Sequence, residues 1–204
     1  MSYERPILAR YRDPLELIWL ATATRLGVAI RRDPGVFANT DGDGIVIIGN
    51  ADLDPDDNMA KMFFHEVCHW IINGRDSVTL RDWGFDYGDP PDTREHACIR
   101  LEALLAEPHG LRLFFAPTGK FREYYDQVGD PWQMLEDNAW EREVQALLQA
   151  GMALAAEEPF GSALQSALAA TAQIQGALLP FRADYRSDID GDTLAPLWFR
   201  DLPR

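Results

Sequence analysis

Apolar positions along the chain follow two patterns, a helical spacing and short unbroken runs. The helical spacing begins after Asp13-Pro14, a favourable helix start, and ends at Gly27; its members are Leu15, Ile18, Trp19, Thr22 and Leu26. Two short runs rich in β-branched residues follow, Val28–Arg31 and Gly44–Gly49, and the turn-prone segment Asn39–Gly44 separates them. This pattern predicts one helix followed by a small sheet.

The second predicted helix runs from Asp56 to about Asn73, with Asp54-Pro55 as its start signal and Gly74 beyond its end. The acidic run Asp52–Asp57 is most simply the solvent-exposed start of this helix. A loop rich in Gly, Pro and Asp, residues 74 to 92, comes next. Its aromatic side chains are expected to anchor the loop by packing rather than to form a substrate platform; they are Trp83, Phe85 and Tyr87.

The remainder of the chain is predicted to be helical. Asp92 opens a helix over Thr93–Ala106, a polar and aromatic connection spans Ala116–Pro131, and two more helices cover Trp132–Glu157 and Gly161–Leu179. The tail from residue 180 to residue 204 is expected to be irregular coil. We therefore predict an α+β fold that is mainly helical with a small sheet, in a single domain comprising a core (1–120) and a helical C-terminal part (121–204).

Composition, net charge and cysteine count limit the classes of protein to which this chain can belong. The chain has 204 residues, of which 47% are hydrophobic and 25% charged, as in an ordinary globular protein. Nineteen Lys and Arg stand against 33 Asp and Glu, a formal net charge of −14, which argues against direct binding to nucleic acid or to anionic membranes. Met1–Arg12 lacks the apolar core of a signal peptide, and Cys68 and Cys98 are too few for a disulfide framework. A cytoplasmic protein with reduced thiols is expected, and its oligomeric state is left open.

The motif with the clearest chemistry is His65-Glu66-Val67-Cys68-His69, in the second half of the second predicted helix. Histidines four residues apart project from one face of a helix and can bind one metal ion. Glu66 then lies beside that metal, where a carboxylate can accept a proton from a bound water or substrate. We interpret His65 and His69 as metal ligands and Glu66 as a catalytic residue.

A catalytic metal site usually has a third protein ligand. Glu95, near the start of the following helix, is the preferred candidate, because the intervening loop can bring that helix across the first. An alternative role for Glu95 is to complete a capping box with Asp92. Glu102 lies almost two turns further on, so it could replace Glu95 or orient a histidine. Weaker candidates lie in the loop, at Asp86 and Asp89.

Four other residues have possible roles that we rank lower. His96 and His109 are isolated histidines, for which a surface or structural role is favoured. Cys68 falls on a different helical face from the motif histidines and is expected in the core rather than as a nucleophile. Cys98 could approach the metal, but burial is favoured over ligation.

The segment from His65 to Gly110 resembles the bacterial elongation factor P hydroxylases. That family carries a His-Glu-x-x-His-Trp stretch followed by a small residue and Gly, then an Asp-aromatic-Gly-aromatic element, and then a helix that begins with Glu and ends near a Gly. The corresponding residues here are His65, Glu66, His69, Trp70 and Gly74; Asp82, Trp83, Gly84 and Phe85; and Glu95 and Gly110. The strong resemblance covers about 50 residues.

The resemblance implies a compact α+β fold reminiscent of a minimal zincin, with one metal held by His65, His69 and Glu95. It also implies hydroxylation of a modified lysine on a protein substrate, an elongation factor P-like protein, with iron(II) as the favoured metal. The residues alone leave two alternatives open. One is a zinc metallopeptidase that uses Glu66 as general base and the edge of the Gly44–Gly49 strand to bind peptide. The other is a non-catalytic module whose structural metal recruits Cys98 or His96 as a fourth ligand.

Overall fold

The computed structural model describes residues 12–49, 57–85 and 92–181. Its helices and strands follow one another in the order α1 (Pro14–Leu26), β1 (Ala29–Arg32), β2 (Ala38–Thr40), β3 (Ile45–Ile48), α2 (Met59–Asn73), α3 (Thr93–Ala106), α4 (Arg122–Gln127), α5 (Ala139–Ala155) and α6 (Phe160–Leu178). Short 3₁₀ turns connect several of them. A mainly helical structure with a small sheet confirms the predicted α+β class.

The sheet has the strand order β1-β3-β2. β3 is central: it runs parallel to β1, with Ala29 opposite Ile45, and antiparallel to β2, with Ala38 opposite Ile48. The Gly44–Gly49 strand therefore has no open edge, contrary to the expectation that it could bind a peptide there. The prediction that Asn39 and Thr40 belong to a turn is therefore wrong, because both lie in β2. The segment lacks an apolar run. It pairs because the Thr40 side chain is buried and its hydroxyl donates to the Ile45 carbonyl.

α2 is the central helix of the molecule, in contact with α1, α3, α5 and β3. Almost every side of it is buried. Phe63, Phe64, Val67 and Ile71 are at most 1% exposed. A helix enclosed in this way holds its side chains in fixed positions relative to its neighbours.

The start of α2 differs from the prediction. The helix begins at Met59, and Asn58 caps it by accepting a hydrogen bond from the Lys61 amide. Asp54, Pro55 and Asp56 lie outside the described residues, so their proposed capping role is not addressed. Asp57 does not lie in solvent as predicted: it is 8% exposed, and its carboxylate lies 3.6 Å from the Lys61 ammonium and accepts from the Thr118 hydroxyl.

α3 begins and ends as predicted, whereas α5 begins seven residues later than the predicted start at Trp132. Asn138 caps α5, and residues 130–138 are turns. The irregular stretch is held by the buried Arg100 of α3, which donates to the carbonyls of Pro131 and Gln133. These carbonyls are available to Arg100 because the segment is not helical.

The remaining helices complete the core. α1 and α6 pack together, and the Trp19 indole donates to the Thr171 hydroxyl across them. α6 agrees with the predicted helix to within one residue at each end, and the connection predicted between residues 116 and 131 contains the short α4. The predicted coil from residue 182 onward lies outside the described residues. In the stretches of chain described above, no helix has the length and apolar composition needed to cross a membrane.

Candidate metal centre

α2 brings two imidazoles together as its sequence predicts. His65 and His69 lie one turn apart on one face, and their Nε2 atoms are 2.9 Å from each other. His69 is 2% exposed, whereas His65 is half-buried and lies nearer the surface. Both rings therefore direct the same nitrogen to a single point.

The carboxylate of Glu95, in the first turn of α3, reaches the same point. Its Oε1 lies 3.5 Å from His65 Nε2, and its Oε2 lies 3.5 Å from His69 Nε2. Both oxygens thus face the imidazoles, so Glu95 does not close a capping box with Asp92. Asp92 caps α3 alone, by accepting from the Arg94 amide. One ligand atom from each of the three residues lies within 4.8 Å of the others, and the cluster can hold a metal ion.

The far nitrogens of the two histidines meet different partners, both from α3. His65 Nδ1 lies 3.3 Å from Glu102 Oε2, and His69 Nδ1 lies 3.2 Å from Cys98 Sγ. Glu102 therefore contacts the outer side of a histidine, which is the orienting role considered for it, and not the position of the third ligand. Cys98 is fully buried, as expected, and also lies behind a histidine.

The pKa values of the two histidines are shifted in opposite directions. Burial lowers the pKa of His69 to about 3, so this ring is neutral at pH 7. Burial also opposes the charged form of His65, but hydrogen bonds to Glu102 and Glu95 outweigh it and hold the His65 pKa well above its usual value. His69 is already in the form that binds a metal, while His65 has to lose a proton first.

Glu66 lies in the same cavity wall as the cluster and is 2% exposed. Its Oε2 accepts a hydrogen bond of 2.8 Å from the Trp83 indole. Burial raises the Glu66 pKa to about 7, although the charge of His65 and the indole both favour the ionised form. A carboxyl group with this pKa can accept and release a proton near neutral pH.

The 3₁₀ segment that carries Trp83 has an unusual backbone. Asp82 and Trp83 both adopt left-handed conformations, with φ of 51° and 55°, which cost energy for residues other than Gly. The conformation buries the Trp83 ring against Trp70, stacked at 5.5 Å, and directs its indole N–H to Glu66. Packing by Trp83 is confirmed, but the sequence did not indicate its bond to Glu66. Phe85, which follows, packs edge-on against His69 at 4.3 Å.

The cluster opens into a cavity of about 210 Å³. One wall is formed by β2 and the other by α2, α3 and the residues near Pro117. Apolar side chains line much of it: Phe37, Met62, Phe85, Pro117 and Phe121. Asp57, Lys61 and Thr118 form a polar part of the wall that sequence reasoning missed, since none of them belongs to a recognisable motif.

The other candidates lie elsewhere. His96 stacks on Tyr124 at 3.9 Å and accepts from the Trp140 indole, so it is structural and does not join the cluster. His109 is in a turn after α3, and Cys68 is in the core. Both cysteines are free thiols. Three candidates lie outside the described residues: Asp86, Tyr87 and Asp89.

The cluster fits a metal ion. Two imidazole nitrogens and a carboxylate are a common ligand set for zinc and for non-haem iron. The donor spacings of 2.9 to 3.5 Å are close to the spacing of about 3.3 Å expected for ligands around one tetrahedral ion. Comparison of the chain with models of protein families, with curated proteins and with solved structures gave no match.

Proposed function

We propose that this protein is a metal-dependent hydroxylase that modifies a protein substrate, as the resemblance to the elongation factor P hydroxylases implies. The observation that carries the proposal is the cluster of His65, His69 and Glu95 on the wall of a cavity. Three ligands on one side leave room for further ligands on the other, which is the arrangement of two-histidine, one-carboxylate iron enzymes. Iron(II) is the favoured metal.

The positions of the resembling segments support this interpretation. The His-Glu-x-x-His stretch, the Asp82–Phe85 element and Glu95 are separated in sequence, yet each contributes a side chain to the lining of one cavity. Trp83 donates to Glu66, and Phe85 contacts His69. A shared sequence pattern whose members meet around one set of donors is better explained by common chemistry than by chance spacing.

The reaction inserts one oxygen atom of O₂ into a C–H bond and reduces the other to water, with two electrons and two protons from a separate reductant. When bound, iron(II) would supply the activation of oxygen that no side chain can provide. The protein's own contributions are to hold the metal through His65, His69 and Glu95, to exclude water with apolar walls such as Phe85, and to exchange a proton at Glu66. Glu102 and Cys98 keep the two imidazoles oriented.

A zinc metallopeptidase is the second candidate, and one observation favours it. Glu66 is a buried carboxyl group with a pKa near 7 on the wall of the metal cavity. This is where a general base would take a proton from the water that attacks a peptide bond. The same ligands can hold zinc, so the two candidates differ in metal and product.

The test combines metal analysis with a product measurement. Protein purified anaerobically is analysed for iron and zinc. It is then incubated with a candidate elongation factor P, oxygen and a chemical reductant that supplies the two electrons, and the intact mass of the substrate is measured. We expect iron and a mass gain of one oxygen atom. Zinc together with cleavage of the substrate would refute hydroxylation and favour the peptidase. The variant Glu66→Gln is expected to keep its metal and lose activity, which separates catalysis from binding.

A further inference from the structure

The edge of the sheet beside the metal cavity has exposed backbone groups on β2. Gly49 donates to the Phe37 carbonyl, and the Asp41 amide donates to the Ile45 carbonyl. With Ala38 opposite Ile48 and Asn39 opposite Ile47, hydrogen-bonded pairs alternate along the strand and include residues 37, 39 and 41. The peptide groups of Ala38 and Thr40 consequently point away from β3.

Ala38 is the accessible one of these two residues. Thr40 is 1% exposed, because the turn around Arg81 covers that end of β2, whereas Ala38 is partly exposed and Phe37 beside it is 53% exposed. In the part of the chain that the structure describes, no group bonds to the N–H or C=O of Ala38. One donor and one acceptor are therefore open to a further strand.

This edge is continuous with the metal cavity. Phe37 and Ala38 line the same cavity as His65, Glu66 and Glu95. An extended chain paired with Ala38 would thus lie along the mouth of the cavity, and its side chains would alternate toward and away from the metal cluster. A helical segment could not bond to both the N–H and the C=O of Ala38, because the backbone N–H and C=O groups of a helix are bonded to one another.

The charge of the cavity selects among extended segments. Five carboxyl groups line it, from Asp57, Glu66, Asp92, Glu95 and Glu102, and the Glu66 group has a pKa of about 7. The cationic groups in the lining are fewer: Lys61, Lys120 and His65, whose pKa is raised. A basic side chain that enters the cavity meets complementary charge, whereas an acidic one is repelled.

We propose that the β2 edge at Ala38 binds an extended segment of the protein substrate by adding a strand to the sheet, with a basic side chain of that segment directed into the cavity. The proposal rests on the proposed function for the identity of the substrate. It adds the docking surface, the backbone conformation and the charge of the segment that binds.

The test uses a fluorescein-labelled nine-residue peptide centred on the lysine of the candidate elongation factor P. Ala38→Pro removes the outward N–H, and it spares the ladder because that N–H does not face β3. Loss of this bond is expected to raise the Kd for the peptide about 3- to 10-fold. Ala38→Ser, which retains the N–H, is the matched control and should bind like the native protein. Circular dichroism and metal content establish that both variants are folded.

A second measurement needs no protein variant. Peptides methylated at one backbone nitrogen at a time are titrated against the native protein. Since Ala38 offers a single acceptor, methylation at one position should weaken binding by a similar factor, and methylation of its neighbours should not. Exchange of the central lysine for norleucine should also weaken binding. Affinity that is unchanged by all of these exchanges, or no binding of the native protein to the peptide, would overturn the proposal.

The docking proposal and the proposed function can fail separately. Dependence of peptide affinity on Ala38 without oxygen transfer to the substrate would support the docking site and contradict hydroxylation. Oxygen transfer to the substrate with a peptide affinity that is independent of Ala38 and of the peptide nitrogens would support hydroxylation and contradict the docking site.

Discussion

Helix α3 takes part in two clusters of buried charge that differ in how completely their groups are paired. The first surrounds Arg100, which is fully buried. Its guanidinium donates to the Glu141 carboxylate at 2.6 Å, to the Tyr124 hydroxyl at 2.7 Å, and to the carbonyls of Pro131 and Gln133. Every nitrogen of this buried cation has a partner. The cluster joins α3 to α5 and to the irregular segment before it.

The second cluster is the metal cluster, on another face of α3. Its buried polar groups are not all paired. The Oε1 atom of Glu102 is buried and has no hydrogen-bond partner among the described residues, and the Nε2 atoms of His65 and His69 are only 2.9 Å apart. Unpaired buried groups cost stability. Incomplete pairing of buried charge is what the proposed metal site predicts for the second cluster. Each variant below tests one side of this contrast.

The largest effect is expected from removing a metal ligand. Glu95→Ala deletes the carboxylate whose two oxygens face the two imidazoles, so the purified variant should contain almost no metal. His65→Ala and His69→Ala should behave alike. Metal content by plasma mass spectrometry gives the result, and Glu66→Gln, with its metal retained, is the matched control. Stoichiometric metal in Glu95→Ala would instead make Glu102 or an aspartate of the loop the third ligand.

Removal of Arg100 should act on stability and leave the metal in place. Arg100→Met leaves Glu141 buried without its cation, which lowers the free energy of unfolding by about 3 to 5 kcal/mol. Urea denaturation measures this change. Arg142→Met is the control, because Arg142 is 57% exposed in its pair with Asp137, and such exposed pairs contribute at most about 1 kcal/mol. Loss of metal affinity in folded Arg100→Met would show that the two clusters are not independent.

The local features of this fold could be predicted from the sequence because they depend on neighbouring residues. Helix periodicity and the caps of Asp13 and Asp92 fixed α1 and α3 closely. The three metal-cluster residues were also predicted, because His65 and His69 share a helix and Glu95 follows within one loop. The structure brings these three residues together, as predicted. That they bind a metal stays a prediction.

The features that the sequence did not reveal depend on distant partners. β2 forms through pairing with β3, and the late start of α5 depends on carbonyls that bind Arg100 from more than 30 residues away. The bond from Trp83 to Glu66 needs two consecutive left-handed residues, which sequence patterns do not suggest for Asp and Trp. Such features follow from tertiary packing, which outweighs local preference.

A smaller effect is expected from the outer partner of His65. Glu102→Gln keeps the shape of the side chain and removes the charge beside Nδ1, which should weaken metal affinity about 10- to 100-fold. Competition with a fluorescent zinc chelator measures the affinity. Glu107→Gln, at the exposed end of the same helix and paired with Arg112, should have no effect. If both variants bind metal like the native protein, Glu102 does not orient His65.

The smallest effect is a dependence of metal affinity on pH. The pKa of His65 is raised, because hydrogen bonds to Glu102 and Glu95 outweigh the effect of burial, so below this raised pKa zinc has to displace a proton from the ring. Below that raised pKa the affinity should fall about tenfold for each unit of pH, and above it the slope should flatten. Calorimetry in two buffers of different ionisation enthalpy should detect release of about one proton. Glu66→Gln should release the same proton, because the proton comes from His65; a release that disappears in this variant would assign the proton to Glu66.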